Sequence, residues 1–254
     1  LELLMVFFAK TPNPDKVSHI TFPEWKGDSW KGENGVKHNE WILKRMYPDV
    51  VFQDRKELWE KTVIDRAHLN GGNIRKAWCK YIRQFDPYLW AKTLKIKRNP
   101  TAHPVVTYVS RQGARVRNLP KEIHSKFLRD MLRIPGIEFV HVEMELIPFE
   151  VQFSLANRTD LLIGVHGNGL SHAAFMNPHR NVIEIFVPGT VFEWDYYTLS
   201  KMMGHEYMCI FNSIPRIPQT FVKNRWERCT SCSIPMEPIS AVIDQIKEEK
   251  DEEH

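Results

Sequence analysis

Leu161-Leu162-Ile163-Gly164-Val165, running on into His166-Gly167-Asn168-Gly169-Leu170, is the stretch on which the reading of this chain turns. Five apolar residues closed by a glycine-rich turn predict a short strand buried on both faces. Burial on both faces is the habit of a parallel sheet, whose crossover helices cover each side. Outward from this stretch the same spelling recurs. VIEIFV at 182–187 and a strand at 206–211 follow it, and VVTYV at 105–109 and a strand at 137–142 precede it. Helices are predicted in the gaps. Asn118-Leu119-Pro120 opens one, and Ile123, Phe127, Leu128, Met131 and Leu132 recur at helical spacing until Ile134-Pro135-Gly136 stops it. Pro148 opens the next, through Phe149, Phe153 and Leu155. A third leaves the loop at 166–169 and ends before Asn177-Pro178, and a fourth spans 193–203 with Gly204 as its C-cap. Strictly alternating strands and helices mean an α/β fold, a parallel sheet with helices on both faces.

The flanks read differently. Residues 1–100 lack regular periodicity, hold tryptophans at 25, 30, 41, 59, 78 and 90, and carry turn clusters such as Gly32-Glu33-Asn34-Gly35. Helices are predicted near 39–47 and 72–85, and a basic stretch at 95–104 with Pro100 and Pro104 marks a boundary. Beyond the alternating region, 212–238 is irregular, 239–250 predicts a helix with Val242, Ile243 and Ile246 on one side, and the acidic tail at 248–253 is expected to fray. The expected organisation is therefore 1–104, 105–238 and 239–254.

Composition excludes several classes. With 43% hydrophobic and 26% charged residues in 254, the chain is neither disordered, collagen-like nor a coiled coil. A net charge of +4 is too small to argue a nucleic-acid partner. Four cysteines include one lone C-x-x-C, Cys229 to Cys232, short of a zinc framework though compatible with a single disulfide. No stretch approaches the roughly 20 apolar residues of a membrane span. The apolar run at 1–9 is broken by Glu2, lacks a basic flank and reads as a buried element. Because Leu1 opens directly into core-like sequence, the natural N-terminus is expected upstream, with any membrane anchor.

In a sheet of this kind ligands sit at the carboxyl ends of the strands, so the strand-end loops are the place to look. After the first strand, Arg111, Arg115 and Arg117 precede a helix start, where cations are unfavourable unless an anion is bound. The alternative is a solvated basic loop. After the third strand, His166-Gly167-Asn168-Gly169 allows close backbone approach to an anion or ligand. The alternative is a packed histidine beside a tight turn. The spacing is neither Walker A nor the dinucleotide fingerprint, which lacks its third glycine here and so argues against an NAD(P)-linked enzyme. Glu184, alone in an apolar strand, must either reach a strand end, where a ribose diol is a common partner, or meet a donor inside. No G-x-S-x-G occurs, and His166, His172 and His179 do not match a zinc helix motif. Asn157-Arg158-Thr159 is a glycosylation sequon at a predicted helix end.

Several of these motifs, in this order, resemble glycosyltransferase family 61. The family carries a similar H-G-A-G-L loop, an F-x-x-P step and a V-I-E-I strand, matched by His166 to Leu170, Phe175 with Pro178, and Val182 to Ile185. Tyr108 to Gln112 with Arg117 resembles its arginine-bearing strand end, and Phe149 with Gln152 its glutamine-bearing helix. Val63 to Arg66 and Leu69 to Asn73 resemble fungal members more loosely. The resemblance implies a GT-B-like architecture, with a complete Rossmann-like C-terminal donor domain and here a partial or truncated N-terminal domain. It implies inverting transfer, without a required metal or cofactor, of a pentose or GlcNAc from a UDP-linked nucleotide sugar to a glycan or glycoprotein hydroxyl. It further implies the lumen of the Golgi or endoplasmic reticulum. By position, Arg111 and Arg117 would hold the diphosphate, His166, Gly167, Asn168 and Gly169 would cradle phosphate or sugar, and Glu184 would take the ribose. Asn168 departs from the family's alanine. Asp65, His38 and His68 are candidates for the base. The rival expectation is a non-catalytic nucleotide-sugar binding module or an inactive fragment.

Overall fold

The computed structural model describes residues 19–21, 41–42, 45–46, 51–53, 85–97, 101–112, 117–191, 195–216 and 228–252. The chain divides into two compact units, Leu1–Lys95 and Ile96–His254.

In the first unit, β1 (His19–Thr21) pairs in parallel with β2 (Val51–Gln53). A parallel pair requires a crossover between its strands. Residues 41, 42, 45 and 46 are helical, and Ile42 and Met46, one turn apart, are both buried. Helix α1 (Pro87–Thr93) starts where Asp86 caps it, accepting from the N–H groups of Tyr88 at 2.9 Å and Leu89 at 3.0 Å. Pro87 occupies the first turn, where its missing N–H costs nothing. Trp90 and Leu94 are fully buried. The helix predicted at 72–85 and the candidate bases Asp65, His38 and His68 fall outside the described residues, apart from Phe85, which is not helical.

The second unit holds β3 (Val105–Val109), α2 (Lys121–Met131), β4 (Glu138–Val142), α3 (Phe149–Arg158), β5 (Leu161–Val165), a 3-10 segment (Asn168–Phe175), β6 (Asn181–Ile185), α4 (Asp195–Met202), β7 (Glu206–Phe211), β8 (Ile214–Arg216) and α5 (Met236–Glu252). The sheet order is β4-β3-β5-β6-β7-β8, with β3 to β7 parallel and β8 antiparallel. Strand order reverses beside β3: the chain steps one way to β4, then back across to β5 and onward. Mixed α/β elements on this mostly parallel sheet make the unit Rossmann-like.

Register divides the sheet into two faces. Val109, Gly164, Glu184 and Cys209 lie in one row, so Thr107, His166, Phe186, Tyr207 and Phe211 share their side. The opposite side is apolar: Val106, Ile163, Ile183 and Ile210 pack with Phe127 and Met131 of α2 and with Ile239, Ile243 and Ile246 of α5. Thr159, just after α3, bonds Thr107 at 2.7 Å, and Tyr197 of α4 meets Tyr207 edge-on at 5.5 Å, so these elements cover the first face.

Four local outcomes differ from the sequence-based expectation. The segment after β5 is a 3-10 helix, not α: Gly167 and Gly169 weaken α propensity, and Leu170 N–H closes a tight turn onto Gly167 at 3.0 Å. Strand β8 was expected to be irregular. Asn212 and Ser213 both have positive φ, 52° and 63°, the turn that folds a tight hairpin onto β7. Pro215 is tolerated in β8 because the strand lies at the sheet edge. Helix α5 starts before 239 and stays helical through the acidic tail to Glu252. Lys250 accounts for that persistence, with its ammonium 3.1 Å from Asp160 and 3.2 Å from the Thr101 carbonyl.

Cys209, Cys229 and Cys232 are free thiols, so the C-x-x-C pair is not bridged. The sequon does end a helix, and its Thr159 is buried and bonded to Leu155 O at 2.8 Å.

Candidate functional site

The reversal of strand order beside β3 fixes where a ligand can enter. In sheets of this kind, loops leaving strands on either side of such a reversal head to opposite faces, and ligands bind between them at the carboxyl ends. Ser110 and Arg111 follow β3, and His166 to Gly169 follow β5.

Ser110 is buried and ties the first loop to the edge strand, its N–H donating to Val142 O at 2.9 Å. Arg111 then crosses to the second loop. Its guanidinium lies directly on Gly167: a methyl group there would fall 2.9 Å from Arg111 Cζ. Gly167 also has φ +148°, where side chains are strained, so the position calls for glycine twice over. Gly169 lies against the last residue of β3, where a methyl would come within 2.6 Å of Val109 Cγ1. The glycines thus let the loop after β5 settle onto the end of β3, under the arginine. Arg111 Nε is buried and has no hydrogen-bond partner among the described residues. A buried donor of this kind in a native site calls for a ligand atom or water.

The turn is pinned from below. His166 N–H donates to Ile185 O at 2.8 Å, and its Nδ1–H donates to Glu184 Oε1 at 2.5 Å. Phe186 stacks on the ring at 4.9 Å and Tyr196 meets it edge-on at 5.7 Å. The second oxygen of Glu184 accepts from the Tyr207 hydroxyl. Burial pushes the Glu184 carboxyl above its usual range, opposed by the hydrogen bonds from His166 and Tyr207. Burial likewise drives the Tyr207 hydroxyl well above the usual phenol value, so it stays a donor.

Glu184 therefore takes the second course open to it and meets donors inside the sheet. It is fully buried, with both oxygens engaged by His166 and Tyr207. Its burial follows from strand register, which places it one row in from the strand end. His166 is 2% exposed and packed beside the turn. Asn168 is exposed, and its Oδ1 accepts from the Ser171 hydroxyl at 3.0 Å, a bond the family's alanine cannot make. Arg117 is exposed, has φ +65° and makes no hydrogen bond or ion pair with the described residues. Arg115 lies outside the described residues. The structure thus joins Arg111 to the glycine turn, and His166 to Glu184.

Tyr207 and His172 were not anticipated as site residues. Parity offers a signal for the first, since Tyr207 falls on the same side of β7 as Glu184 does of β6. Among the described residues, no group of three or more His, Cys, Asp or Glu side chains is disposed to hold a metal, and no helix is long and apolar enough to cross a membrane.

Fold and site together define a Rossmann-like α/β protein with an arginine-capped glycine turn at its switch point. The family model described as Glycosyltransferase 61 matches residues 15–183, two thirds of the chain, and the protein belongs to that family. Comparison with the curated proteins finds no match. Membership implies a glycosyltransferase, and with it a donor sugar and an acceptor.

Proposed function

We propose that this protein is an inverting glycosyltransferase that moves a pentose or GlcNAc from a nucleotide sugar, UDP-linked, to a hydroxyl of a protein or glycan. In this reading Ile96–His254 is the donor half of a GT-B enzyme of the secretory pathway. The observation that carries it is the Arg111 guanidinium seated on Gly167 at the switch point.

As the sugar leaves, negative charge builds on the departing diphosphate. Fixed donors aimed at that charge stabilise the transition state and need no reorganisation. Arg111 supplies a fork that fits two phosphate oxygens, and its buried Nε is a donor in want of an acceptor. The 3-10 segment opens in that same loop, and the first N–H groups of a helix have no partner within it. In this reading they do the electrostatic work of the reaction without a required metal. His166 and Glu184 act from beneath, holding the turn at the height Arg111 needs.

Calorimetric titration with UDP tests this. Wild-type protein is expected to bind, and Arg111→Ala to bind roughly a hundredfold more weakly, the loss of one charge-assisted pair of about 3 kcal/mol. Unchanged affinity in the variant overturns the reading. The second reading, a nucleotide-sugar binding module, draws on the burial and mutual engagement of His166 and Glu184. Tight UDP binding with neither transfer nor hydrolysis of a UDP-sugar would favour it.

A further inference from the structure

His172 sits in the 3-10 segment three residues beyond Gly169 and is buried. Its surroundings decide how many protons it carries. On one side is Gln152 of α3, whose amide nitrogen donates to Met144 O at 2.7 Å and Ile147 O at 2.9 Å. Two carbonyls on that nitrogen leave the amide oxygen as the atom turned to His172, 2.8 Å from Nε2. An amide oxygen only accepts, so Nε2 must carry hydrogen. On the other side Nδ1 is 2.8 Å from the Gly169 carbonyl, which also only accepts. A neutral imidazole would set one lone pair against an oxygen.

His205 makes the opposite case in the same unit. Its Nε2–H donates to Ala173 O at 2.9 Å, while its Nδ1 accepts from Arg180 N–H at 3.0 Å. One donor and one acceptor suit a neutral ring. Two acceptors suit a cation.

We propose that His172 is held as an imidazolium, a fixed positive charge behind the glycine turn that orients the Gly169 carbonyl and strengthens the hold on an anionic ligand. The ligand class rests on the transferase reading: the diphosphate of a nucleotide sugar. The 3-10 segment packs against β5, α3 and α4. Strand β5 carries no ionisable side chain, and α3 presents neutral Gln152 to the ring. On α4, the charge of Asp195 acts on Glu184 and on Tyr196. His172 is a positioning residue: it acts through the turn, not on the sugar.

Two measurements test this. Nitrogen-15 shifts of the His172 ring, recorded on ligand-free protein at neutral pH, should show both nitrogens protonated, and a neutral tautomer overturns the proposal without reference to any ligand. Titration of His172→Gln with UDP and with uridine reads the function of the charge. UDP should bind roughly tenfold more weakly, as for removal of one unit charge from a partly screened anion site, while uridine is unaffected. Equal loss for both would mean a packing defect and overturn it. Wild-type protein that fails to bind UDP overturns the transferase reading and the role given to the charge, and the ring shifts still decide the protonation state.

Discussion

One face of the six-stranded sheet carries Val106, Ile163, Ile183 and Ile210, and the other carries Thr107, His166, Glu184 and Tyr207, though the same strands supply both. The apolar face holds α2 and α5 by area and shape. Its contacts are non-directional, and exchanging one aliphatic for another of like volume costs little. The polar face works by pairing. Glu184 is as fully buried as Ile183, yet it is tolerated only because His166 and Tyr207 donate to it. The contrast teaches where the site's precision comes from. A greasy face fixes which helices pack, whereas a face of directed bonds fixes the height and tilt of the turn that Arg111 covers.

The largest expected effect therefore falls on the polar face. Glu184→Ala would strand the His166 and Tyr207 donors and is expected to cost about 4 kcal/mol. Ile183→Val, one residue away on the apolar face, should cost about 1 kcal/mol. Urea unfolding of the two variants at one pH measures both. Equal losses would erase the distinction between the faces.

Next in size is a pH effect seated at His205, beneath the 3-10 segment. Burial, with the positive charge of Arg180, holds its ring down at about 4, against an ordinary value of 6.5. The folded state thus binds fewer protons than the unfolded state between those values. Its contribution is fully present above pH 6.5 and is lost as the pH falls toward 4, about 3 kcal/mol in all. Glu184 runs the other way, since burial raises it and favours the protonated folded form. The comparison to make is wild type against His205→Gln at pH 7.5 and pH 4.5, and the gap between the two proteins should narrow in acid. A constant gap would show that His205 takes up its proton as readily folded as unfolded.

Much of the fold was legible because buried parallel strands spell themselves in unbroken apolar runs. Strands β3, β5 and β7 fall where periodicity puts them, and Gly204 takes the left-handed turn, φ +72°, expected after α4. The two faces were not legible in the same way. Val182-Ile183-Glu184-Ile185 declares one buried acid but not its partners, which come from residues 18 and 23 positions away. Which strands flank β6 is a matter of topology, and only then does parity single out Tyr207. The arginine cluster stands out in the sequence, yet nothing local separates Arg111, seated on the turn, from exposed Arg117. The hairpin to β8 is not legible although Asn212-Ser213 is turn chemistry, because a proline such as Pro215 fits a strand only at a sheet edge, and the edge is known only from the topology. The acidic tail misled for a similar reason. Charge repulsion predicts fraying, but Lys250 reaches Asp160 from far along the chain.

The smallest expected effect tests whether the polar face really sets the turn. Gly169 touches Val109, the β3 residue in the same row as Gly164 and Glu184, so the contact couples sheet to loop. Gly169→Ala would press a methyl to within 2.6 Å of Val109 Cγ1, and one of the two must give. Overpacking of this kind costs about 2 kcal/mol. Stability alone cannot say which side yields, but binding can. On the nucleotide-sugar reading proposed above, UDP affinity holds if Val109 shifts within its strand. If the loop lifts, Arg111 and the turn part company and affinity falls with stability. Val109→Ala removes the opposing methyl, so in the double variant both losses should shrink together, a coupling readable from the four proteins of the cycle. Recovery of stability without recovery of affinity would mean that the turn's position is set elsewhere than at the rim of the sheet.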